Sequence, residues 1–266
     1  MGNSWYWCRL HGRMGTFEVV RVILYDNKQF FNKYKELRDN ENNANDLEER
    51  PEMLSLMPDL KGKSVLDLGC GYGNLCKTCV DLGAEYVKGV DISKLMLNEA
   101  VNNCVDYDNI TFELLNLSNL DKLEEKYDVV VSSLAMHYVE DFNKLCHDVY
   151  NLLNKEGIFL FSQEHPIFTA NMNGVTWQTD IDNAVKSIVV DNYVNSGKRN
   201  VTWFINGVIK YHRTFSDIIN PLINNGFMIE KTTEPTVSDE LIKRYPALMR
   251  CKCVPDYLFV RAKKYN

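Results

Sequence analysis

The chain has 266 residues, of which 45% are hydrophobic and 25% are charged, and this length suits one sizeable globular domain. Its net charge of -6 and its isoelectric point near 5.5 argue against a broad nucleic-acid interface, which needs a basic face. No apolar run approaches the ~20 residues of a membrane span, and the first residues lack the apolar core of a signal peptide. We therefore expect a cytoplasmic protein with no nucleic-acid or membrane partner.

Eight cysteines without a secretory signal indicate reduced thiols. Cys76 and Cys79 form a CxxC pair, and Cys251 and Cys253 form a CxC pair, so a zinc site has to be weighed. Cys76 and Cys79, however, share the apolar stripe of a predicted helix, and a buried free cysteine behaves as a small hydrophobic residue. We therefore predict no metal site.

The first elements precede the core of the domain. Residues 1–26 form an N-terminal extension without an assigned role, in which 18–25 has a strand-like pattern. Apolar residues at helical spacing then predict an amphipathic helix that contains Phe30, Phe31, Tyr34 and Leu37. Pro51 marks the start of a short second helix that reaches Met57.

A glycine-rich turn follows the first predicted core strand. Residues 65–73 read VLDLGCGYG, in which a buried strand ends and three glycines alternate before a helix begins. Such a turn lets the backbone approach a ligand closely. Asp91 ends the next strand, 20 residues past Gly71, where a doubly wound nucleotide-binding fold presents an acid to ribose hydroxyls.

Two details of this turn distinguish between nucleotide cofactors. A dinucleotide fingerprint needs a third glycine at position 74, which is Asn74 here. Asp67, two residues before the first glycine, would repel a pyrophosphate but attract a cationic amine. Both details disfavour a nicotinamide-dependent oxidoreductase, which we keep as an alternative.

The turn and Asp91 resemble the first two motifs of the class I S-adenosylmethionine-dependent methyltransferases, and the resemblance covers roughly residues 30–263. It implies S-adenosyl-L-methionine as the cofactor, with the glycine turn under its amino-acid part. Asn116 stands where the family usually has an Asp at the adenine, and its amide oxygen can still accept a hydrogen bond. The cofactor-binding residues implied by the resemblance are Asp67, Gly69, Gly71, Gly73, Asp91, Ile92, Asn116, Leu117, Ser133 and Leu134.

Strands and helices alternate through the core, which predicts a parallel sheet with helices on both faces. The clearest helix spans 141–153, where apolar residues lie on one face. The five predicted core strands cover residues 64–68, 86–91, 110–115, 127–133 and 157–163.

The chain closes with a helix over 214–224, a strand over 227–232, a helix over 239–249 and a strand over 257–263. Pro221 is tolerable in the first of these helices only if that helix begins near Asp217. The resemblance implies that the last strand is antiparallel. We therefore predict an α/β fold over 27–266, with a doubly wound, mostly parallel seven-stranded sheet.

The alternation breaks after the fifth strand, over 165–213. This insertion holds a hairpin pattern in which Asn206 and Gly207 form a two-residue turn. Ligands bind outside the carboxyl ends of the strands in such sheets, so we predict a cap that covers the substrate. The alternative is an embellishment that only packs on the core. The substrate-binding residues predicted in the cap are Trp177, Tyr193, Trp203, Tyr211, His212 and Arg213, the last for a carboxylate-bearing acceptor.

Three titratable residues are candidates for catalysis. Glu164 and His165 end the fifth strand, at the edge where the substrate should lie. His137 follows the fourth strand and is either a general base or a packing histidine. Methyl transfer from a sulfonium relies mainly on alignment, and a base helps only when the acceptor has to lose a proton.

We predict an S-adenosylmethionine-dependent methyltransferase that acts on a small soluble acceptor. The segment after the fourth strand lacks the Asn-Pro-Pro-aromatic tetrapeptide of enzymes that methylate adenine or glutamine amides, which disfavours those substrates. A non-catalytic S-adenosylmethionine-binding sensor or scaffold is a further alternative. The methylated atom and the oligomeric state stay open at this point.

Overall fold

A computed structural model describes residues 26–39, 43, 45–179 and 185–265. The strand-like segment 18–25 lies outside these residues. In the described part, eleven strands follow one another: β1 (Ser64–Leu68), β2 (Tyr86–Asp91), β3 (Ile110–Leu114), β4 (Tyr127–Ser132), β5 (Leu153–Glu164), β6 (Thr176–Thr179), β7 (Val185–Val189), β8 (Gly197–Trp203), β9 (Ile205–His212), β10 (Phe227–Thr233) and β11 (Tyr257–Lys264).

Seven of these strands form one sheet in the order β10-β11-β5-β4-β1-β2-β3. Strands β1 to β5 pair in parallel, whereas β11 runs antiparallel to both of its neighbours, β5 and β10. The predicted doubly wound sheet with an antiparallel last strand is confirmed. The remaining strands form two separate hairpins, β6–β7 and β8–β9, within the insertion that follows β5.

The α-helices of the described part are α1 (Lys28–Asp39), α2 (Arg50–Leu56), α3 (Asn74–Asp81), α4 (Lys94–Asn103), α5 (Phe142–Leu152), α6 (Pro166–Ala170), α7 (Phe215–Asn224) and α8 (Asp239–Arg244). Side-chain caps define several of their starts. Asp141 accepts the backbone N–H of Lys144, and Ser93 accepts that of Met96. Such caps satisfy N–H groups that the first helical turn leaves without a partner.

Two hydrophobic clusters cover the two faces of the sheet. Because successive strand residues point to opposite faces, Leu66 packs in the cluster with α5 and α7, and its neighbour Val65 packs in the cluster with α2 and α3. Cys76 and Cys79 are fully buried in the second cluster, as expected for thiols on the apolar stripe of α3. Burial on both faces explains why the strand sequences are almost continuously apolar.

The predicted helix over 214–224 is present as α7, but the condition that it begins near Asp217 was wrong, and so was the predicted end of the next helix. Helix α7 begins at Phe215, because Thr214 caps it by accepting the backbone N–H of Asp217, and Pro221 therefore lies in its second turn. Helix α8 ends at Arg244 instead of residue 249. Pro246 cannot continue an α-helix, and the chain goes on as a 3₁₀ turn.

The hairpin β8–β9 exists, but its predicted turn at Asn206 and Gly207 was wrong. Val201 pairs with Val208 and Trp203 pairs with Ile205, so the chain reverses at Phe204, which has a φ of 58°. The left-handed backbone of Gly207, with a φ of 89°, lies inside β9 near an irregularity in the pairing.

Gly89 in β2 offers a test of the packing between β2 and β3. An added Cβ would lie 2.8 Å from ring carbons of Phe112 and 2.9 Å from the Sγ of Cys70. We expect Gly89→Ala to lower the free energy of unfolding by about 1–3 kcal/mol, because overpacked side chains have to shift. Denaturant unfolding measures this change. Adding Phe112→Leu should restore part of the loss, and an unchanged midpoint in Gly89→Ala would contradict the packing.

Candidate active site

A cavity of about 710 Å³ lies at the carboxyl ends of the parallel strands. We call it the central cavity. Its floor comes from the segments that follow β1, β2, β3 and β4, and its other walls come from α1 and from the hairpin β8–β9. The residues that line it include Tyr34, Arg38, Asp67, Gly69, Gly71, Tyr72, Asp91, Ile92, Asn116, Leu117, Ser133, Leu134, Tyr138, Val139, Glu140, Lys198, Ile209 and Tyr211.

The glycine turn after β1 forms the centre of the floor. Gly69 has a φ of 75°, and a Cβ there would lie 2.6 Å from the Cβ of Ala135. The backbone N–H of Gly71 donates to the Oδ2 of Asp91 over 2.9 Å, which joins the turn to the end of β2. Gly73 is also left-handed, but it starts α3 and lies outside the cavity lining.

Asp67 presents an unsatisfied carboxylate oxygen. Its side chain is 1% exposed, and its Oδ2 accepts a hydrogen bond from the Sγ of Cys76 at 3.2 Å. Its Oδ1 has no hydrogen-bond partner among the described residues. Burial raises the pKa of Asp67 to about 7; the bond from Cys76 lowers it, and the neighbouring charge of Asp91 raises it. Leaving a buried acceptor unpaired is unfavourable, so this oxygen fits the donor of a ligand.

Arg38 on α1 is a site residue that the sequence reasoning missed. Its Nη1 is buried and, within the described part of the chain, has no hydrogen-bond partner, and its side chain lines the central cavity. A guanidinium pairs well with a carboxylate. Tyr34 lies one helical turn earlier and lines the same cavity, so the i, i+4 spacing of the two residues was the available signal.

Asp91 and Asn116, for which the resemblance implies contacts with the cofactor, both line the cavity. Asp91 accepts backbone N–H groups of Ser93 and Gly71, each at 2.9 Å. Burial raises the pKa of Asp91, and these hydrogen bonds lower it in part. The Oδ1 of Asn116 accepts the N–H of Ser118 at 2.9 Å, which leaves one lone pair for an adenine amino group.

The segment after β4 is held by a buried carboxylate. The Oε1 of Glu49 accepts hydrogen bonds from the hydroxyls of Ser133 at 2.9 Å and Ser162 at 2.6 Å. The Oγ of Ser162 also accepts the N–H of Leu134, whose φ is 53°. A left-handed Leu is strained by roughly 1–3 kcal/mol, and such strain persists where surrounding contacts fix the backbone.

The three predicted catalytic residues lie outside the lining of the central cavity. His165 caps α6: its Nδ1 accepts the N–H of Ile167 at 3.2 Å, and its Nε2 bonds to Glu234 at 2.8 Å. Burial lowers the pKa of His165, and Glu234 raises it in part. Both ring nitrogens are therefore engaged in local structure, and the catalytic role of His165 stays a prediction without geometric support.

His137 and Glu164 form a second structural pair. The backbone N–H of Glu164 donates to the Nδ1 of His137 at 3.3 Å, and burial lowers the pKa of His137 to about 4. The Nζ of Lys210 lies 2.5 Å from the Oε1 of Glu164. Burial raises the pKa of Glu164, but Lys210 and His137 outweigh it and the net shift is downward. This arrangement matches the packing alternative for His137.

Of the predicted substrate-binding residues, Tyr211 lines the central cavity. Trp203 packs edge-on against Phe30 and Tyr34 of α1, with ring centroids 5.6 and 5.8 Å apart. Trp177 packs against Phe168 at 5.5 Å. These two tryptophans join elements of the cap and α1, and neither lines the cavity.

The other predicted substrate-binding residues of the cap form hydrogen bonds with other parts of the protein. The Nε2 of His212 donates to the backbone oxygen of Tyr193 at 2.8 Å, and its Nδ1 bonds to the Oγ1 of Thr169 at 2.9 Å. The hydroxyl of Tyr193 accepts the N–H of Phe215. Arg213 donates to backbone oxygens of the segment after β4.

Sequence reasoning also missed Lys198 and Ile209 in the cavity wall. Gly207, Ile209 and Tyr211 line the cavity from alternate positions of β9, so the period of two would have placed Ile209 beside Tyr211. Lys198 pairs with Tyr211 across the hairpin.

None of the helices in the described part of the chain has the length and apolar character that a membrane span requires.

The fold and this cavity define a methyltransferase domain, and comparison with known proteins agrees. A family described as "Methyltransferase domain" matches residues 59–207, more than half of the chain, and the chain belongs to this family. An "uncharacterized protein" of Haemophilus influenzae is 37% identical over 251 residues, which are 92% of this chain and 98% of that protein.

Solved structures extend the comparison. An S-adenosylmethionine-dependent methyltransferase from Mesorhizobium loti is 36% identical, with a TM-score of 0.74 over 81% of this chain and 97% of that chain. Magnesium protoporphyrin IX methyltransferase from Synechocystis PCC 6803 with bound SAH shares the fold at 18% identity, with a TM-score of 0.60 over 93% and 99%. The protein is therefore an S-adenosylmethionine-dependent methyltransferase, and the predicted family and cofactor are confirmed.

The pH dependence of cofactor binding tests the role of Asp67. An ionised Asp67 attracts the ammonium group of S-adenosylhomocysteine, so binding should follow its ionisation. With a pKa of about 7, the ionised fraction is about one tenth at pH 6 and about nine tenths at pH 8. We expect affinity, measured by calorimetry, to be about tenfold weaker at pH 6 than at pH 8.

Asp67→Asn should remove this pH dependence and weaken binding at pH 8 by roughly 10- to 100-fold, because a charge-assisted hydrogen bond is lost. Asp128→Asn is the matched control. Asp128 accepts hydrogen bonds from Ser64 and Asn154 and lies outside the cavity lining, so its variant should keep the pH dependence. A pH dependence that survives in Asp67→Asn would contradict the assignment.

Proposed function

We propose that the enzyme transfers the methyl group of S-adenosylmethionine by in-line displacement to a small acceptor held beneath the hairpin β8–β9. The observation that carries this proposal is that one acidic and one basic side chain in the same cavity each have a polar atom without a hydrogen-bond partner among the described residues. The Oδ1 of Asp67 and the Nη1 of Arg38 are both buried, both unpaired among the described residues, and both belong to side chains that line the central cavity.

An α-amino acid group complements these two side chains. Asp67 would accept from the ammonium group, and Arg38 would donate to the carboxylate. Asp91 would accept the ribose hydroxyls, and Asn116 with Leu117 would contact the adenine. This arrangement uses four separate segments of the chain, all of which border the central cavity.

The remaining part of the central cavity suits a small acceptor. Its wall comes from Lys198, Ile209 and Tyr211, which belong to the predicted cap. The central cavity as a whole, including the part assigned to the cofactor, has a volume of about 710 Å³, which is in the range of small-molecule sites. We propose that the insertion 165–213 acts as a substrate-covering cap and that the acceptor is small and soluble.

The acceptor should attack without prior loss of a proton. The three predicted proton acceptors, Glu164, His165 and His137, lie outside the cavity lining. Of the carboxylates within the lining, Asp67 and Asp91 are those assigned to the cofactor, and Glu140 and Asp141 are exposed to solvent. A carboxylate or a neutral amine needs no general base, and alignment with the methyl group can supply much of the rate. We therefore favour these two acceptor classes over hydroxyl acceptors.

A turnover assay tests the proposal against the sensor alternative. Purified protein is incubated with S-adenosylmethionine and panels of small carboxylates, amines and hydroxyl compounds, and S-adenosylhomocysteine is quantified by mass spectrometry. We expect acceptor-dependent product with members of the first two panels. Tight cofactor binding without turnover on any panel would favour a sensor, and turnover confined to hydroxyl compounds would contradict the acceptor classes.

A bulky substitution on β9 tests the location of the acceptor. Ile209→Trp should fill the acceptor side and lower kcat/KM by about tenfold or more, while the Kd for S-adenosylhomocysteine changes less than about twofold. Thr202→Trp is the matched control, because Thr202 lies exposed on the same hairpin and outside the cavity lining. An equal loss in both variants, or loss of cofactor binding in Ile209→Trp, would place the acceptor elsewhere.

A further inference from the structure

Arg213 follows β9, and its side chain donates hydrogen bonds to a neighbouring segment of the core. The side chain is buried, and its Nη1 donates to the backbone oxygen of Met136 at 3.3 Å. Its Nη2 donates to the backbone oxygens of Val139 and of Glu140, the latter at 3.0 Å. The guanidinium also lies 5.1 Å from the ring centroid of Phe142. One side chain thus holds three carbonyl groups of the segment 136–140.

The segment 136–140 belongs to the wall of the central cavity. Tyr138, Val139 and Glu140 line the cavity, whereas Arg213 does not. Tyr211, two residues before Arg213, lines the cavity from the hairpin β8–β9. Arg213 therefore connects the wall on the acceptor side with a wall formed by the core.

An arginine is needed for this connection. A buried guanidinium is stable only when its donors are satisfied, and its planar fork reaches several carbonyls at once. A lysine keeps the charge but presents it at one nitrogen, and it cannot reproduce two diverging N–H groups. Glutamine removes the charge and keeps two donors.

We propose that Arg213 is a positioning residue that holds the segment 136–140 in the conformation that binds the cofactor. It couples this segment to the cap without contacting either ligand. The proposal rests on S-adenosylmethionine as the cofactor and is independent of the acceptor class proposed above.

Arg199 supplies a matched control. It is also buried, and its guanidinium also donates to backbone oxygens, including those of Ala170 at 2.8 Å and Asn195 at 2.6 Å. These carbonyls belong to the cap, and none of them lies in the segment 136–140. Substitutions at Arg199 and Arg213 thus remove the same kind of interaction from two different places.

The experiment compares Arg213→Lys and Arg213→Gln with Arg199→Lys and Arg199→Gln. Calorimetry gives the Kd for S-adenosylhomocysteine, and thermal unfolding gives the loss of Tm. We expect the Arg213 variants to raise the Kd by about tenfold or more, and the Arg199 variants to stay within about twofold at a similar loss of Tm. A Kd within twofold of wild type in Arg213→Lys, or equal increases at both positions, would overturn the proposal.

Hydrogen exchange on the wild-type protein decides the matter if the Arg213 variants do not fold. Binding of S-adenosylhomocysteine should slow exchange in peptides that cover 136–142 and 211–213 together, and should leave 185–189, a cap strand outside the cavity lining, unchanged. Protection of 136–142 without any change at 211–213 would overturn the coupling. Absence of binding to the wild type would instead refute the cofactor assignment itself.

Discussion

The hydrogen bond from the backbone of Gly71 to the carboxylate of Asp91 joins two segments of the floor of the central cavity. It fixes the glycine turn after β1 against the end of β2 over 2.9 Å. In the same turn, Gly69 has no side chain, so the turn can pack directly against Ala135 in the segment after β4. With the turn in this place, the carboxylate of Asp67 lies buried at its base. The rest of the central cavity is built around this arrangement.

Charged side chains at the cap and at the central cavity fall into two classes with different consequences. Glu164 and Arg213 are matched by partners within the described chain, and they hold the cap on the core. Asp67 and Arg38 each keep an atom without a partner in the described residues, and both line the cavity. Satisfied charges stabilise the scaffold, whereas unsatisfied ones are available to a ligand. This difference separates the structural residues of the cap from the residues that we assign to the cofactor.

The fold and the floor of the central cavity were predictable from the sequence, because their signals are local. The strands at 64–68 and 86–91 and the positions of Asp67 and Asp91 follow from short patterns of apolar residues, glycines and acids. The partners of the titratable residues were not predictable, because they lie far away in the sequence. His137 contacts Glu164 over 27 residues, and Arg213 contacts Met136 over 77 residues. No local pattern distinguishes such a buried anchor from a residue that faces a substrate.

The antiparallel strand β11 has a consequence for synthesis on the ribosome. Strand β10 pairs with β11 and not with β5, so residues 257–264 have to emerge before the sheet can close on that side. Until then, the edge of β5 presents unpaired backbone N–H and C=O groups on a strand that carries Phe159 and Phe161. Exposed apolar edges of this kind recruit other chains and favour aggregation. A nascent chain stalled shortly before β11 is therefore an expected client of chaperones.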